Sequence, residues 1–166
     1  VNYTGSTALC GVISRHPTNN KRILWIANVG DSRAVMCNYK DDAIQLSQDH
    51  KPNSTLEKKR IEQLGGTIKY DGSDWRINDL SLSRAFGDLE SKPYITHLPQ
   101  IFKYYLNKGD KFIIFACDGL WDVLSNKNAI SYVNSLVKKN YTGNHAKKLA
   151  EKAIKEGSTD NVTVVI

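Results

Sequence analysis

FIIFACDGLWD, residues 112–122, is the stretch whose reading decides the fold. Five apolar residues in a row, Phe112 to Ala116, suit a strand buried on both faces and are too few for a buried helix. Each large side chain there contributes about 1.5–3 kcal/mol on burial, so such a strand sits deep. It ends in Asp118-Gly119, a carboxylate where a buried strand meets a glycine turn. That position is costly unless something positive meets it. No Lys or Arg lies inside the window, so a metal ion is a natural partner. An aspartate capping the short turn Leu120-Trp121-Asp122 through backbone N–H groups fits the window equally well. Both readings stand on these residues alone.

Working upstream, residues 7–14 (TALCGVIS), 23–29 (ILWIANV) and 33–37 (RAVMC) read as strands, the first two separated by the turn-forming His16-Pro17-Thr18-Asn19-Asn20. Gly30-Asp31-Ser32 separates the second and third, and that spacing predicts an antiparallel hairpin. Asp31 then sits at a turn tip beside a buried strand end, where an ordinary turn aspartate is the simpler account. Residues 54–64 read as a helix with Leu56, Arg60, Ile61 and Leu64 on one side and Gly65-Gly66 ending it. Residues 68–70 and 76–82 are short strand candidates around the Asp71-Gly72-Ser73-Asp74 turn, and 83–105 read as an irregular, mobile loop region.

Downstream, residues 127–139 carry Ile130, Val133, Leu136 and Val137 at helical spacing behind a Ser125 or Asn126 cap. Asn144 caps a second helix with the stripe Leu149, Ala150, Ala153 and Ile154, ended by Gly157. Residues 158–161 lead into a last strand, 162–166, which makes Asp160 a third carboxylate at a strand boundary.

Strands with helices between and after them, several joined by tight turns, give a mixed α/β class with antiparallel pairing. Asp31, Asp118 and Asp160, supported by Asp122, can converge at one sheet edge. Oxygen donors without a partnering His or Cys point to Mg²⁺ or Mn²⁺ rather than zinc, and such ions mostly serve phosphoryl chemistry. Other phosphate chemistries lack their residues. The positions six after Cys10, Cys37 and Cys117 are His16, Ala43 and Val123, so no Cys-x₅-Arg loop exists. Leu120 stands where an Asp-x-Asp nucleophile pair needs its second acid, and no GxxxxGK frame occurs. His16, His50, His97 and His145 fall in turns or caps, unpaired at metal spacing, and read as surface or turn residues.

With 166 residues the chain is one domain, large enough to bury a core. Its net charge of +6 comes mainly from lysine, much of it on the solvated face of the last two helices. No basic stripe interleaves with aromatics, which argues against nucleic-acid binding, and no apolar run reaches membrane-span length. An odd count of three cysteines and no signal peptide fit a reduced, cytoplasmic or nuclear setting. The chain starts at Val1 without Met and stops at Ile166 inside a strand-like run, so it reads as cut at both ends.

Six blocks then appear in one order across the chain: GSTA (5–8), ANVGDSRAV (27–35), DHKP with a helix and GG (49–66), LSLSRAFGD (80–88), FIIFACDGLWDVLS (112–125) and GSTDNVTVVI (157–166). In these the chain resembles the type 2C, metal-dependent serine/threonine protein phosphatases. The resemblance implies an α+β fold, an antiparallel β-sandwich flanked by helices in four layers, with a metal pair at one end. It implies two Mg²⁺ or Mn²⁺ ions, a third held more weakly, and phosphoprotein substrates carrying phosphoserine or phosphothreonine. Hydroxide bridging the metal pair attacks in line, with no phosphoenzyme. Asp118 and Asp160 match ligands of one paired metal, acting in catalysis through it. Asp31, with Asp118, matches the third-ion site, and Asp122 assists through water. The segment 84–105 lies near the family's substrate-contacting flap.

Two departures accompany the match. An upstream block with an acidic pair and a phosphate-binding arginine is absent, as is the Asp-Gly-His-Gly-Gly block with the bridging aspartate and the proposed general-acid histidine. Residues 1–166 therefore read as the C-terminal portion of such a catalytic domain, with its N-terminal part missing. The alternative is a non-catalytic type-2C-like domain that binds or regulates a signalling partner. Sheet edges left unpaired by missing strands favour self-association. The second departure is Asn78, where the family usually has Gly, a change that left-handed backbone tolerates.

Overall fold

The computed structural model describes residues 3–166. Along the chain they form β1 (Gly5–Ser6), β2 (Ala8–Arg15), β3 (Arg22–Val29), β4 (Arg33–Cys37), β5 (Ala43–Gln45), α1 (Thr55–Gln63), β6 (Lys69–Tyr70), β7 (Trp75–Arg76), β8 (Phe86–Gly87), β9 (Gln100–Tyr105), β10 (Phe112–Ala116), α2 (Asp118–Trp121), α3 (Asn126–Lys138), α4 (His145–Lys155) and β11 (Val164–Val165). Two antiparallel sheets, ordered β11-β10-β4-β5 and β2-β3-β9, carry the architecture, with small ribbons β1-β8 and β6-β7 beside them.

The apolar run 112–116 becomes β10, between β4 and β11, with Ile114 opposite Val35 and Ala116 opposite Val164. Side chains alternate across a strand, so its two faces meet different layers. Ile114 and Ala116, with Val35 and Cys37, pack against Leu120, Trp121, Ile130, Val133 and Leu149 of the helices. Ile113 and Phe115, with Ala34 and Met36, face Leu24 and Ile26 of β3. The result is a sandwich of two antiparallel sheets with helices on the outside of the four-stranded one, the α+β class the sequence implies. Its helices start where the sequence places them. Ser125 accepts the Asn128 N–H for α3, and Asn144 accepts the Lys147 N–H for α4, each cap worth about 1 kcal/mol.

The hairpin expected around Gly30-Asp31-Ser32 does not form. β3 pairs with β2 and β9, whereas β4 pairs with β10 and β5, so this turn carries the chain from one sheet to the other. Gly30 permits it at φ +109°, a left-handed conformation, with Thr7 packed so close that a Cβ would stand 2.3 Å from its methyl. The hairpin partner of β3 is β2, through the turn at His16–Asn20.

Three further expectations change. Within 83–105, residues 100–105 are ordered as β9, with Phe102 and Tyr104 packed inward on the β3 core. The candidate strand 76–82 reduces to β7 and a single Ile77–Leu80 bridge. In α1 the buried face is Glu57 and Ile61, while Leu56 is 64% exposed, because the helix docks through ions as well as apolar contact. Asn78 does adopt φ 52°, the left-handed backbone that suits its replacement of glycine.

Candidate metal centre

Strand register gathers the carboxylates. Arg33 pairs with Ala116, so Asp31, two residues before β4, and Asp118, just past β10, lie at the same end of the four-stranded sheet. Ala116 also pairs with Val164, which brings the turn that carries Asp160 to that end. Close packing brings Asp160 nearer still. A Cβ on Gly119 would lie 2.3 Å from the Asn161 carbonyl oxygen and 3.5 Å from the Asp160 Cβ. The Ser158 hydroxyl donates to the Gly119 carbonyl at 2.7 Å, clasping the same turn to α2.

The electrostatics report the gathering. Burial raises the Asp118 pKa, and Asp31, Asp122 and Asp160 raise it further, with Lys51 opposing them. Burial also raises that of Asp122, against Lys51 and with Asp31 and Asp74. Asp118 caps almost nothing. Its carboxylate accepts the Gly119 N–H at 2.9 Å, while the Leu120 and Asp122 N–H groups bond to backbone oxygens. Asp160 accepts only the Asn161 N–H among the described residues. Yet no three acidic, His or Cys side chains among the described residues stand close enough to cage an ion.

A cation does occupy one carboxylate. Asp31 is only 3% exposed, and the Lys51 ammonium donates to it at 2.7 Å and lies 3.7 Å from Asp74. Burial pulls the Lys51 pKa down, but Asp31, Asp74 and Asp122 more than offset this and raise it. The Lys51 ammonium thus already neutralises Asp31, and the oxygen donors left on Asp118 and Asp160 are of the kind that Mg²⁺ or Mn²⁺ takes.

Around this cluster the neighbouring sequence blocks act as braces. The Arg33 guanidinium grips Asp49 at 2.9 and 2.6 Å, reaches Asn126 at 2.8 Å and stacks over Trp121. His50, expected at the surface, is instead buried. Its Nδ1 accepts the Gly30 N–H at 3.1 Å, so Nε2 carries the proton and donates to Gln100 at 3.0 Å. Burial, then Arg84, lowers its pKa, against Gln100, Glu57 and Gly30. Glu57 joins α1 to the segment after β7, accepting from Arg84 at 2.6 Å, Ser83 at 2.8 Å and Arg60 at 2.9 Å. Sequence reading missed Lys51, His50 and Glu57 in these roles. Their blocks, DHKP and the following helix, were the available signal.

Comparison with known proteins identifies the family. Residues 1–162 match the family model for Protein phosphatase 2C. A PP2C-like domain-containing protein of Acanthamoeba polyphaga mimivirus is 44% identical, covering 86% of this chain and 92% of its own. A probable protein phosphatase 2C of Oryza sativa subsp. japonica is 40% identical over 99% of this chain and 55% of its own length. The serine-threonine phosphatase 2C structure from Toxoplasma gondii superposes at TM-score 0.83 with 26% identity, covering 98% of this chain and 58% of that one. The chain thus spans little more than half of the rice protein and the Toxoplasma chain.

Proposed function

Because the chain belongs to the protein phosphatase 2C family, we propose that it hydrolyses phosphoserine and phosphothreonine in proteins with Mg²⁺ or Mn²⁺ held by Asp118, Asp160 and Asp31. The observation that carries this reading is the gathering of carboxylates by the β10 register, which sets half-buried Asp118 at one sheet end with Asp31 and the Asp160 turn. Partial burial, then Asp31, Asp122 and Asp160, raise the Asp118 pKa. Such a cluster is stabilised by added positive charge, and a divalent ion supplies it most compactly. When bound, such ions lower the pKa of coordinated water and neutralise charge developing on the phosphate. The protein's own part is placement. Gly119 and Ser158 hold the Asp160 turn against Asp118, and His50 fixes the Gly30 backbone beside Asp31.

The test is phosphate release from a phosphothreonine peptide by the full-length protein, with and without Mn²⁺. Manganese-dependent turnover that falls at least about a hundred-fold in Asp118→Asn is the expected result. Unchanged turnover in that variant would sink the assignment. A second reading, a non-catalytic type-2C-like domain that regulates a signalling partner, draws on the absence of a three-carboxylate cage among the described residues. It expects no turnover from the folded full-length protein at any Mn²⁺ concentration.

A further inference from the structure

We propose that Lys51 is a resident competitor for the cation at Asp31: its ammonium takes the carboxylate that a divalent ion would use, and so raises the ion concentration needed to fill that position. This rests on the metal reading above. A carboxylate as buried as Asp31 requires a positive partner. Among the described residues Lys51 is the only group that donates to it, at 2.7 Å.

The placement is built rather than incidental. The His50 N–H donates to the Gly30 carbonyl at 3.0 Å, and the Gly30 N–H donates back to His50 Nδ1 at 3.1 Å. This reciprocal pair sets residue 51 beside residue 31. Pro52 then fixes the backbone on the far side. The anchor is rigid, while the four-carbon stem of lysine is flexible and its ammonium is a compact point charge.

The ammonium also has somewhere to go. Lys51 is 26% exposed on its side chain and already lies 3.7 Å from the Asp74 carboxylate in the β6–β7 turn. A swing toward Asp74 releases Asp31 without stranding a charge. Asp118 and Asp160 meet no such rival, since each accepts only from a neighbouring backbone N–H among the described residues. Cation binding should therefore divide into positions free of competition and one position, at Asp31, where Lys51 must first be displaced.

Bound Mn²⁺, counted by electron paramagnetic resonance on the full-length protein, tests this. Lys51→Met removes the charge and keeps the length, and the weakest Mn²⁺ position should tighten by about ten-fold, the effect of losing one partly buried ion pair. Lys51→Arg should stay near wild type, and Asp31→Asn should abolish the tightened position. Lys51→Gln serves the same purpose if the Met variant does not fold by circular dichroism. Unchanged or weaker Mn²⁺ binding in folded Lys51→Met or Lys51→Gln overturns the proposal, as does a tightened position that survives Asp31→Asn. Failure to bind Mn²⁺ in any variant also overturns it. The phosphatase reading fails separately: tightening without phosphate release leaves Lys51 as a competitor in a non-catalytic domain.

Discussion

Glu57 is a buried carboxylate, 3% exposed, that serves two guanidinium groups and a hydroxyl at once. Burial pushes its pKa up, but hydrogen bonds from Arg84, Arg60 and Ser83 prevail and bring it down to about 2. The folded value lies below the unfolded one, so the carboxylate contributes stability above the ordinary carboxylate range and loses it as pH falls toward 2. Removing one member of such a network leaves the others uncompensated, and Glu57→Gln should cost about 3–5 kcal/mol at pH 7. Urea unfolding at pH 7 and at pH 3 checks both points. The deficit of the variant should shrink at the lower pH, and an equal deficit at both would contradict the linkage. The Glu57–Arg60 pair is local, three residues apart on α1. Arg84 and Ser83, however, are brought to Glu57 from far along the chain only by tertiary packing, so the network as a whole was not legible in the sequence. Likewise no cation lay within the window around Asp118, yet Lys51 arrives from another block, and His50 is buried by partners, Gly30 and Gln100, that neither local period nor spacing relates to it. The aspartates themselves could be read because a carboxylate at the end of an apolar strand is conspicuous locally.

At the scale of elements, what was legible follows the range of the interaction that decides it. Helices α3 and α4 are set by their own caps and stripes, both local, and the structure keeps them. Which sheet receives a strand is a non-local choice. Gly30-Asp31-Ser32 has the composition of a hairpin turn, but β4 gains more by pairing with the apolar β10, which covers it with helices on one side and β3 on the other. β9 does alternate, with Phe102 and Tyr104 inward, but it follows a Gly- and Pro-containing stretch that hid it. Short α2 shows how elements set the site. Gly119 brings it so near the turn at Asp160 that a Cβ would collide with the Asn161 carbonyl at 2.3 Å. A backbone oxygen cannot swing away as a side chain can, so Gly119→Ala should push the Asp160 turn from Asp118. The expected outcome is a loss of Mn²⁺ affinity of about ten-fold or more, with a stability cost of about 1–3 kcal/mol. Calorimetric Mn²⁺ titration beside a thermal melt separates the two effects. Wild-type affinity in the alanine variant would mean that this contact does not position Asp160.

For the whole molecule the sandwich is unevenly covered. Helices shield the outside of the four-stranded sheet, whereas the outside of β2-β3-β9 presents a row of apolar side chains. Cross-strand register puts Val12 beside Trp25 and Ala27 beside Ile101 on that face, and Val12 is 60% exposed. Lys103, stacked over Trp25 and Tyr105, is the charge on this row. The eight-residue β2 is also an edge of its sheet, with a free backbone side. Between the edges of the two sheets opens a groove of about 290 Å³, its mainly apolar lining (Ile13, Met36, Phe112 and Phe115 among it) joined by the charged Arg22, Asp110 and Lys111. An exposed apolar face beside a long free edge is a template for a second copy. Residues 1–166 on their own should therefore self-associate. Sedimentation velocity across a concentration series should show dimers or larger species that grow with concentration. Replacing Trp25 and Ile101 with lysine, on the face itself and away from the carboxylates, should return the chain to a monomer. If the unaltered chain sediments as one folded monomer throughout, the exposed face is tolerated in water, and coverage by a partner has no role in its stability.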